Sequence, residues 1–194
     1  MDLEHLSDSE LVSLKEKTEF AISKYHNLQL AKKITLNSCY GACGTEYFRY
    51  YDIRIAEAVT LTGQLVIKWL EKDVNETINI LCSTEDVDYI IAVDTDSLYV
   101  NVDQLVTQLG MKSWDRQKVC DKLNQISSSI IEPTIDKSCK KLSSYLNMYE
   151  YSLKMKRETI ADKAIWTAKK KYMVNQLDKE GVRFTTPELD MCVS

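Results

Sequence analysis

Apolar residues recur at spacings of three and four along the first third of the chain, and in short β-branched and aromatic runs farther on. Helices are therefore expected first and short strands later. Ser7 with Glu10 has the pattern of a capping box and opens a long helix. Leu11, Leu14, Thr18, Ala21, Tyr25 and Leu28 then line one side of it, a seam suited to a second helix. Gly41 and Gly44 end this helical region or let backbone approach a ligand closely. Phe48-Arg49-Tyr50-Tyr51 follows as an amphipathic aromatic segment. Residues 52–79 are mostly helix formers, with a stripe of Ile55, Val59, Val66 and Leu70 expected to pack on a sheet.

Two β-branched runs come next, Tyr89-Ile90-Ile91-Ala92-Val93 and Leu98-Tyr99-Val100-Asn101-Val102, separated by Asp94-Thr95-Asp96-Ser97. This pattern predicts two short strands joined by an acidic turn. Residues 102–110 read as a short helix and residues 115–147 as a longer one, which Pro133 should kink or divide. Strands over about 150–160 and 164–177 and a turn at Asp178-Lys179-Glu180-Gly181 complete the expectation. The predicted class is α+β, an antiparallel sheet packed on helices and preceded by one long helix. The chain shows no repeat, low-complexity run or linker, so it reads as one contiguous piece.

Composition narrows the classes. Hydrophobic content of 44% and charged content of 28% suit a globular protein. No apolar run approaches the roughly 20 residues that span a bilayer. The acidic start Met-Asp-Leu-Glu lacks the basic and apolar regions of a signal peptide, so an intracellular protein without a membrane partner is expected. Six cysteines without a pairing pattern agree with a reducing compartment, and Cys39 and Cys43 are read as packing residues. The net charge of −4 argues against indiscriminate wrapping of nucleic acid. Its distribution says more. From Lys154 to Tyr172 seven basic residues face only Glu158 and Asp162, a patch able to neutralise several backbone phosphates, or simply a solvated surface.

Three segments carry candidate chemistry. Asp94 and Asp96 stand at one end of the predicted hairpin, where two like charges are favoured in ionised form when a cation sits between them. That spacing suits a divalent metal, while Asp is also an ordinary turn residue that bonds nearby amides. Lys33, Asn37 and Tyr40 share one helix face at i, i+4 and i+7. They offer a cation for a polyphosphate, and an amide and a phenol for a base, or else form a solvated face. In Trp166-Thr167-Ala168-Lys169-Lys170-Lys171-Tyr172-Met173-Val174, a strand reading puts Lys170 on the face of Trp166, Ala168, Tyr172 and Val174, where a cation needs a partner.

In this order the three segments resemble the family B DNA polymerases, particularly the replicative enzymes of large tailed phages. The resemblance covers roughly residues 20–187. Residues 33–41 are similar to the motif B helix of the fingers, 94–97 to the motif C hairpin of the palm, and 169–172 to the Lys-Lys-Arg-Tyr motif that follows the primer duplex. It implies residues 1–51 as a second fingers helix with motif B, and residues 52–194 as a palm portion with the motif C hairpin and the basic strand. The first arm of the fingers hairpin would then occupy the seam on residues 11–28.

What the resemblance implies about function is specific. The expected activity is DNA-templated nucleotidyl transfer, adding dNTPs to a primer 3′-hydroxyl with two Mg²⁺ ions. Asp96 would be the direct metal ligand and Asp94 the more peripheral carboxylate, and Glu158 falls where related enzymes keep an acidic residue near the metals. Lys33 would hold the β- and γ-phosphates, Asn37 would line the nucleotide pocket, and Tyr40 would check the nascent pair. Gly41 would admit the template, and Lys169, Lys170, Lys171 and Tyr172 would follow the primer–template duplex. No match is found to the Asp-x-x-Ser-Leu-Tyr-Pro type of motif A, to an exonuclease or to a thumb. The expected enzyme is therefore incomplete by itself and needs those parts in the same polypeptide or in a complementing subunit, in the host cytoplasm if viral. The alternative is a non-catalytic DNA-binding or assembly module derived from a polymerase. A metal-binding module unrelated to nucleic acid would explain the acidic hairpin alone.

Overall fold

A computed structural model describes residues 7–193. The acidic opening Met-Asp-Leu-Glu and Ser194 lie outside the described residues. The chain divides into two units, one through Leu61 and one from Thr62 onward.

The first unit is dominated by α1, Asp8–Cys43, a single helix of 36 residues. Its start is set by the expected capping box, in which the Ser7 N–H and Oγ–H both donate to Glu10 Oε2, at 2.9 and 2.7 Å. The expected seam and the Lys33 segment therefore belong to one uninterrupted helix. Of the seam residues, Leu11, Leu14 and Ala21 are half-buried, whereas Thr18, Tyr25 and Leu28 are exposed. Cys39 is exposed rather than packed, and Cys43 is half-buried. The aromatic segment after Gly44 forms turns, with Tyr47, Phe48, Tyr50 and Tyr51 exposed. Helix α2, Ile53–Leu81, begins where Asp52 Oδ1 accepts the Arg54 N–H at 3.0 Å.

The second unit holds the core. From Thr62 onward α2 buries Ile67, Leu70, Val74 and Ile78, a stripe at spacings of three, four and four. The expected stripe is only partly realised, because Ile55 and Val59 are exposed, at 49% and 54%, while Val66 packs on the core and Leu70 is fully buried. Against this face lie β1, Ile90–Asp94, and β2, Ser97–Val100, an antiparallel pair. Leu98 and Val100 point to the core, and Leu105 comes from α3, Asp103–Gln108. Further core residues come from α4, Arg116–Ile126, and α5, Glu132–Tyr145, with the helical run starting after Asp115 and divided near Pro133 as expected, and from Tyr151, Leu153 and Met155 beyond them. Asp115 caps α4 by accepting the Gln117 N–H at 3.1 Å. One π-helical stretch, Ser127–Ile131, separates α4 from α5 just before Pro133, whose missing N–H and ring disfavour an unbroken helix.

The approach to β1 is held by side chains that imitate a neighbouring strand. Asn79 on α2 accepts the Val87 N–H at 3.1 Å and donates to the Val87 carbonyl at 2.7 Å. Asn75, one turn earlier, accepts the Tyr89 N–H at 2.8 Å. Thr84 bridges Asn79 and the Tyr89 hydroxyl. Backbone groups that would otherwise be buried unpaired are thus satisfied. Asn79→Leu is expected to destabilise the fold by about 2–3 kcal/mol, because the Val87 N–H loses its acceptor. Urea denaturation measures this, and hydrogen exchange should accelerate first at residues 87–89.

The closing region differs from the two strands expected. It is a three-stranded antiparallel sheet of β3, Thr159–Ala168, β4, Lys171–Lys179, and β5, Val182–Val193, in the order β3-β4-β5. The expected turn joins β4 to β5, with Glu180 at φ 51° and Gly181 at φ 88°. Consecutive positive values match the twist of a tight hairpin, and Gly181 takes its value without steric cost. A second turn, unannounced by any Gly, Pro or Asn, splits the run that reads as one strand. The sheet docks on α4 through Gln117 Nε2, which donates to the Phe184 carbonyl at 3.1 Å, and through an ion pair of Arg183 with Asp121 at 2.8 Å.

Candidate functional site

The acidic tip is built by local chemistry. Ala92, Val93 and Asp94 pair with Tyr99, Leu98 and Ser97, so the ladder runs to the last pair before the turn. Asp94 ends β1, and Thr95 and Asp96 make the turn. The Asp96 N–H donates to the Asp94 carbonyl at 2.6 Å, and Ser97 Oγ donates to the same carbonyl at 3.0 Å. Thr95 has φ 50°, a left-handed conformation that β-branched residues rarely adopt. Its Oγ1 donates to Asp94 Oδ1 at 3.0 Å. Strain of this kind costs on the order of 1–3 kcal/mol and gathers where geometry serves function. Its effect here is to set Asp94, half-buried, and Asp96, exposed, one residue apart at the end of a hairpin anchored by the core.

Hard carboxylate oxygens on one tight turn are suitable donors for Mg²⁺. Their number is small, however: no group of three or more His, Cys, Asp or Glu side chains is arranged around an ion among the described residues. Glu158, exposed just before β3, does not complete such a group with Asp94 and Asp96. The donors therefore fit one part of a metal site.

The second cluster is the tip of the β3–β4 hairpin. Ala168 pairs with Lys171, which leaves Lys169 and Lys170 as the turn, and Lys170 has φ 60°. The strand reading that put Lys170 on the face of Trp166 and Tyr172 is corrected here: Lys170 sits at the bend and not within a strand. Trp166 and Tyr172 are neighbours all the same, as partners across the ladder. Lys169, Lys170 and Lys171 are all exposed, which gathers three cations on one tip, and Thr167 Oγ1 donates to the Lys171 carbonyl at 3.2 Å.

The two tips belong to the same unit and are linked by rings. Tyr99 of β2 lies 5.2 Å from Trp166, edge to face, and 5.8 Å from Tyr172, and Trp166 lies 6.2 Å from Tyr172. A hydrogen bond with Tyr99 holds the Tyr172 phenol well above its ordinary range, with burial adding to the effect. Sequence reading paired Trp166 with Tyr172 but missed Tyr99. The available signal was its alternation with Leu98 and Val100, which directs Tyr99 away from the core.

In the first unit Lys33, Asn37, Tyr40 and Gly41 lie on one face of α1 and are exposed. Among the described residues, nothing besides its chain neighbours and the adjoining backbone of α1 stands within 4 Å of where a Cβ on Gly41 would lie, leaving that position open to an approaching molecule.

A further cluster escaped the sequence reading. Asp178, fully buried at the end of β4, is paired with Arg157 and with Arg183, whose Nη1 lies 2.9 Å from Asp178 Oδ2. The Gly181 N–H also donates to Asp178 Oδ1 at 3.1 Å. This network ties the Glu180-Gly181 turn to the segment that carries Glu158. No periodic pattern distinguishes a buried Asp beside a turn from an exposed one.

Comparison with known proteins agrees with the family resemblance. The model of DNA polymerase family B matches residues 10–186. The DNA-directed DNA polymerase of Enterobacteria phage T4 is 39% identical over 197 residues, covering 97% of this chain and 22% of that protein. The DNA-directed DNA polymerase of Escherichia phage RB69 is 36% identical over 170 residues, covering 83% and 19%. DNA polymerase 1 of Aeropyrum pernix is 35% identical over 77 residues, covering 39% and 7%. The chain spans about a fifth of the length of the two phage relatives it matches. With a family match over nearly all of its described residues, and with an acidic hairpin and a lysine tip joined in one unit, the chain belongs to DNA polymerase family B.

Proposed function

We propose that this chain supplies the nucleotide-facing helix and the carboxylate hairpin of a DNA-templated DNA polymerase, and acts together with further polymerase segments in the same polypeptide or on a partner subunit. The observation that carries this reading is the linkage of the acidic tip to the lysine tip through Tyr99, Trp166 and Tyr172. Such an arrangement suits an enzyme that must grip a duplex and act on its end.

In this reading residues 1–51 belong to the fingers and residues 52–194 to the palm. Asp96 and Asp94 would hold Mg²⁺ together with a carboxylate from another segment, and Glu158 would be a further acidic residue near the metals, as the family resemblance implies. Two bound Mg²⁺ ions would lower the pKa of the attacking primer hydroxyl and neutralise the departing pyrophosphate. Lys33 binds the β- and γ-phosphates of the dNTP as a point charge. Asn37 lines the nucleotide pocket, Tyr40 checks the minor-groove edge of the nascent pair, and Gly41 admits the template. Lys169, Lys170 and Lys171 contact the primer–template backbone and its minor groove, where acceptors vary little among correct pairs, so binding is independent of sequence. Tyr172 supports this tip from its ladder position. In this reading the place of action is intracellular, and the host cytoplasm if the protein is viral, as its phage relatives suggest. Among the described residues no helix is long and apolar enough to cross a membrane.

Duplex binding across a salt series tests the lysine tip. Changing Lys169, Lys170 and Lys171 together to Ala should weaken binding to all sequences alike and reduce the slope of log K against log salt by roughly 2–3. An unchanged slope would remove these lysines from the duplex interface. Metal-dependent extension in the assembled polymerase tests catalysis, and duplex binding without extension would select a non-catalytic module.

A further inference from the structure

The acidic hairpin β1–β2 and the sheet β3-β4-β5 have separate hydrogen-bond ladders. No ladder between them sets how far one tip lies from the other, so side chains must. Tyr99 lies opposite Ala92, three residues beyond Asp96, while Trp166 and Tyr172 lie opposite each other just inside the turn at Lys169 and Lys170. All three rings are half-buried and stand outside the main core cluster, which takes Leu98 and Val100 from the other face of β2. Their geometry is specific: an edge-to-face pair at 76° between Tyr99 and Trp166, and tilted pairs at 59° and 38°. Aromatic rings favour such offset arrangements, so the pairs define an orientation as well as a contact.

We propose that Tyr99 and Trp166 are positioning residues that, with Tyr172, clamp the acidic tip at a fixed offset from the lysine tip. A duplex held at Lys169 and Lys170 then presents its end at Asp94 and Asp96 in one register. This rests on the polymerase reading of the two tips. Neither Tyr99 nor Trp166 touches the reacting atoms, and their action passes through the hairpins they join.

Spin labels placed at Thr95 and Lys169 as unnatural amino acids, with the native cysteines left unchanged, report the offset in the chain by pulsed electron resonance. The expected result is one narrow distance, which Tyr99→Ala and Trp166→Ala turn into a broad or multiple distribution with far-UV circular dichroism unchanged. Tyr99→Phe and Trp166→Phe, safer for folding, should keep one main distance, with Tyr99→Phe wider for want of its hydroxyl. A narrow, unshifted distance in folded Trp166→Ala, or in both Phe variants if the Ala variants do not fold, overturns the clamp. In the assembled polymerase Trp166→Ala or Tyr99→Ala should lower kcat up to about a hundredfold with KM for dNTP little changed, as expected for misplacement by about 1 Å. A wild-type assembly that never extends a primer, with the distances behaving as described, would refute the polymerase reading and leave the clamp in place.

Discussion

Asp96→Asn in the assembled polymerase is expected to abolish primer extension, by at least about a thousandfold, while duplex binding should stay within about twofold of wild type. The substitution keeps the shape of the side chain and removes its charge. Asp96 is exposed, and among the described residues its carboxylate has no protein partner, because the turn is closed by its backbone N–H on the Asp94 carbonyl. Folding therefore loses little, within about 0.5 kcal/mol as for other exposed sites. A cation held by this carboxylate loses a formal charge from its ligand set, and about 4 kcal/mol of lost transition-state stabilisation corresponds to a thousandfold in rate. Extension assays over a Mg²⁺ series, paired with binding at fixed salt, separate the two effects. Full extension by the variant would remove Asp96 from the metal-holding role.

The second large effect is on stability. Asp178→Asn is expected to cost about 3–5 kcal/mol, a large share of the 5–15 kcal/mol typical of a whole domain. Asp178 is fully buried, with Arg157 and Arg183 at its carboxylate and their side chains only 14% and 26% exposed. The amide accepts the Gly181 N–H as the carboxylate does, so the turn itself is spared. What changes is that two guanidinium groups remain largely out of water without a counter-charge, apart from the reach of Arg183 to the exposed Asp121. Denaturant unfolding should show a lower midpoint with an unchanged slope. A midpoint equal to wild type would mean that water already screens this network.

Much of the architecture was legible because its causes are local. The capping box at Ser7 and Glu10, the division of the helical run before Pro133, the acidic turn at Thr95 and Asp96, and the turn at Glu180 and Gly181 each depend on residues within a few positions of one another. The resemblance to family B polymerases was legible for a related reason, since the spacing of Lys33, Asn37 and Tyr40 on a helix and of two Asp on a hairpin is fixed by backbone geometry alone.

What was not legible depends on partners distant in the chain. Nothing in Trp166 to Val174 marks a bend, yet β4 pairs with both β3 and β5, and the pairing compels Lys170 into a left-handed turn that its own preference disfavours. Half of the α2 stripe, Ile55 and Val59, is exposed because the main core cluster takes α2 residues only from Val66 onward, where the hairpin and α5 supply a surface. The sequence by itself determined the elements, the two tips and the family, through periodicity, turn chemistry and motif spacing. Only the tertiary structure decided that Tyr99 meets Trp166 and Tyr172, and that Asp178 lies buried between two arginines, because burial and contact are properties of what the folded chain brings together.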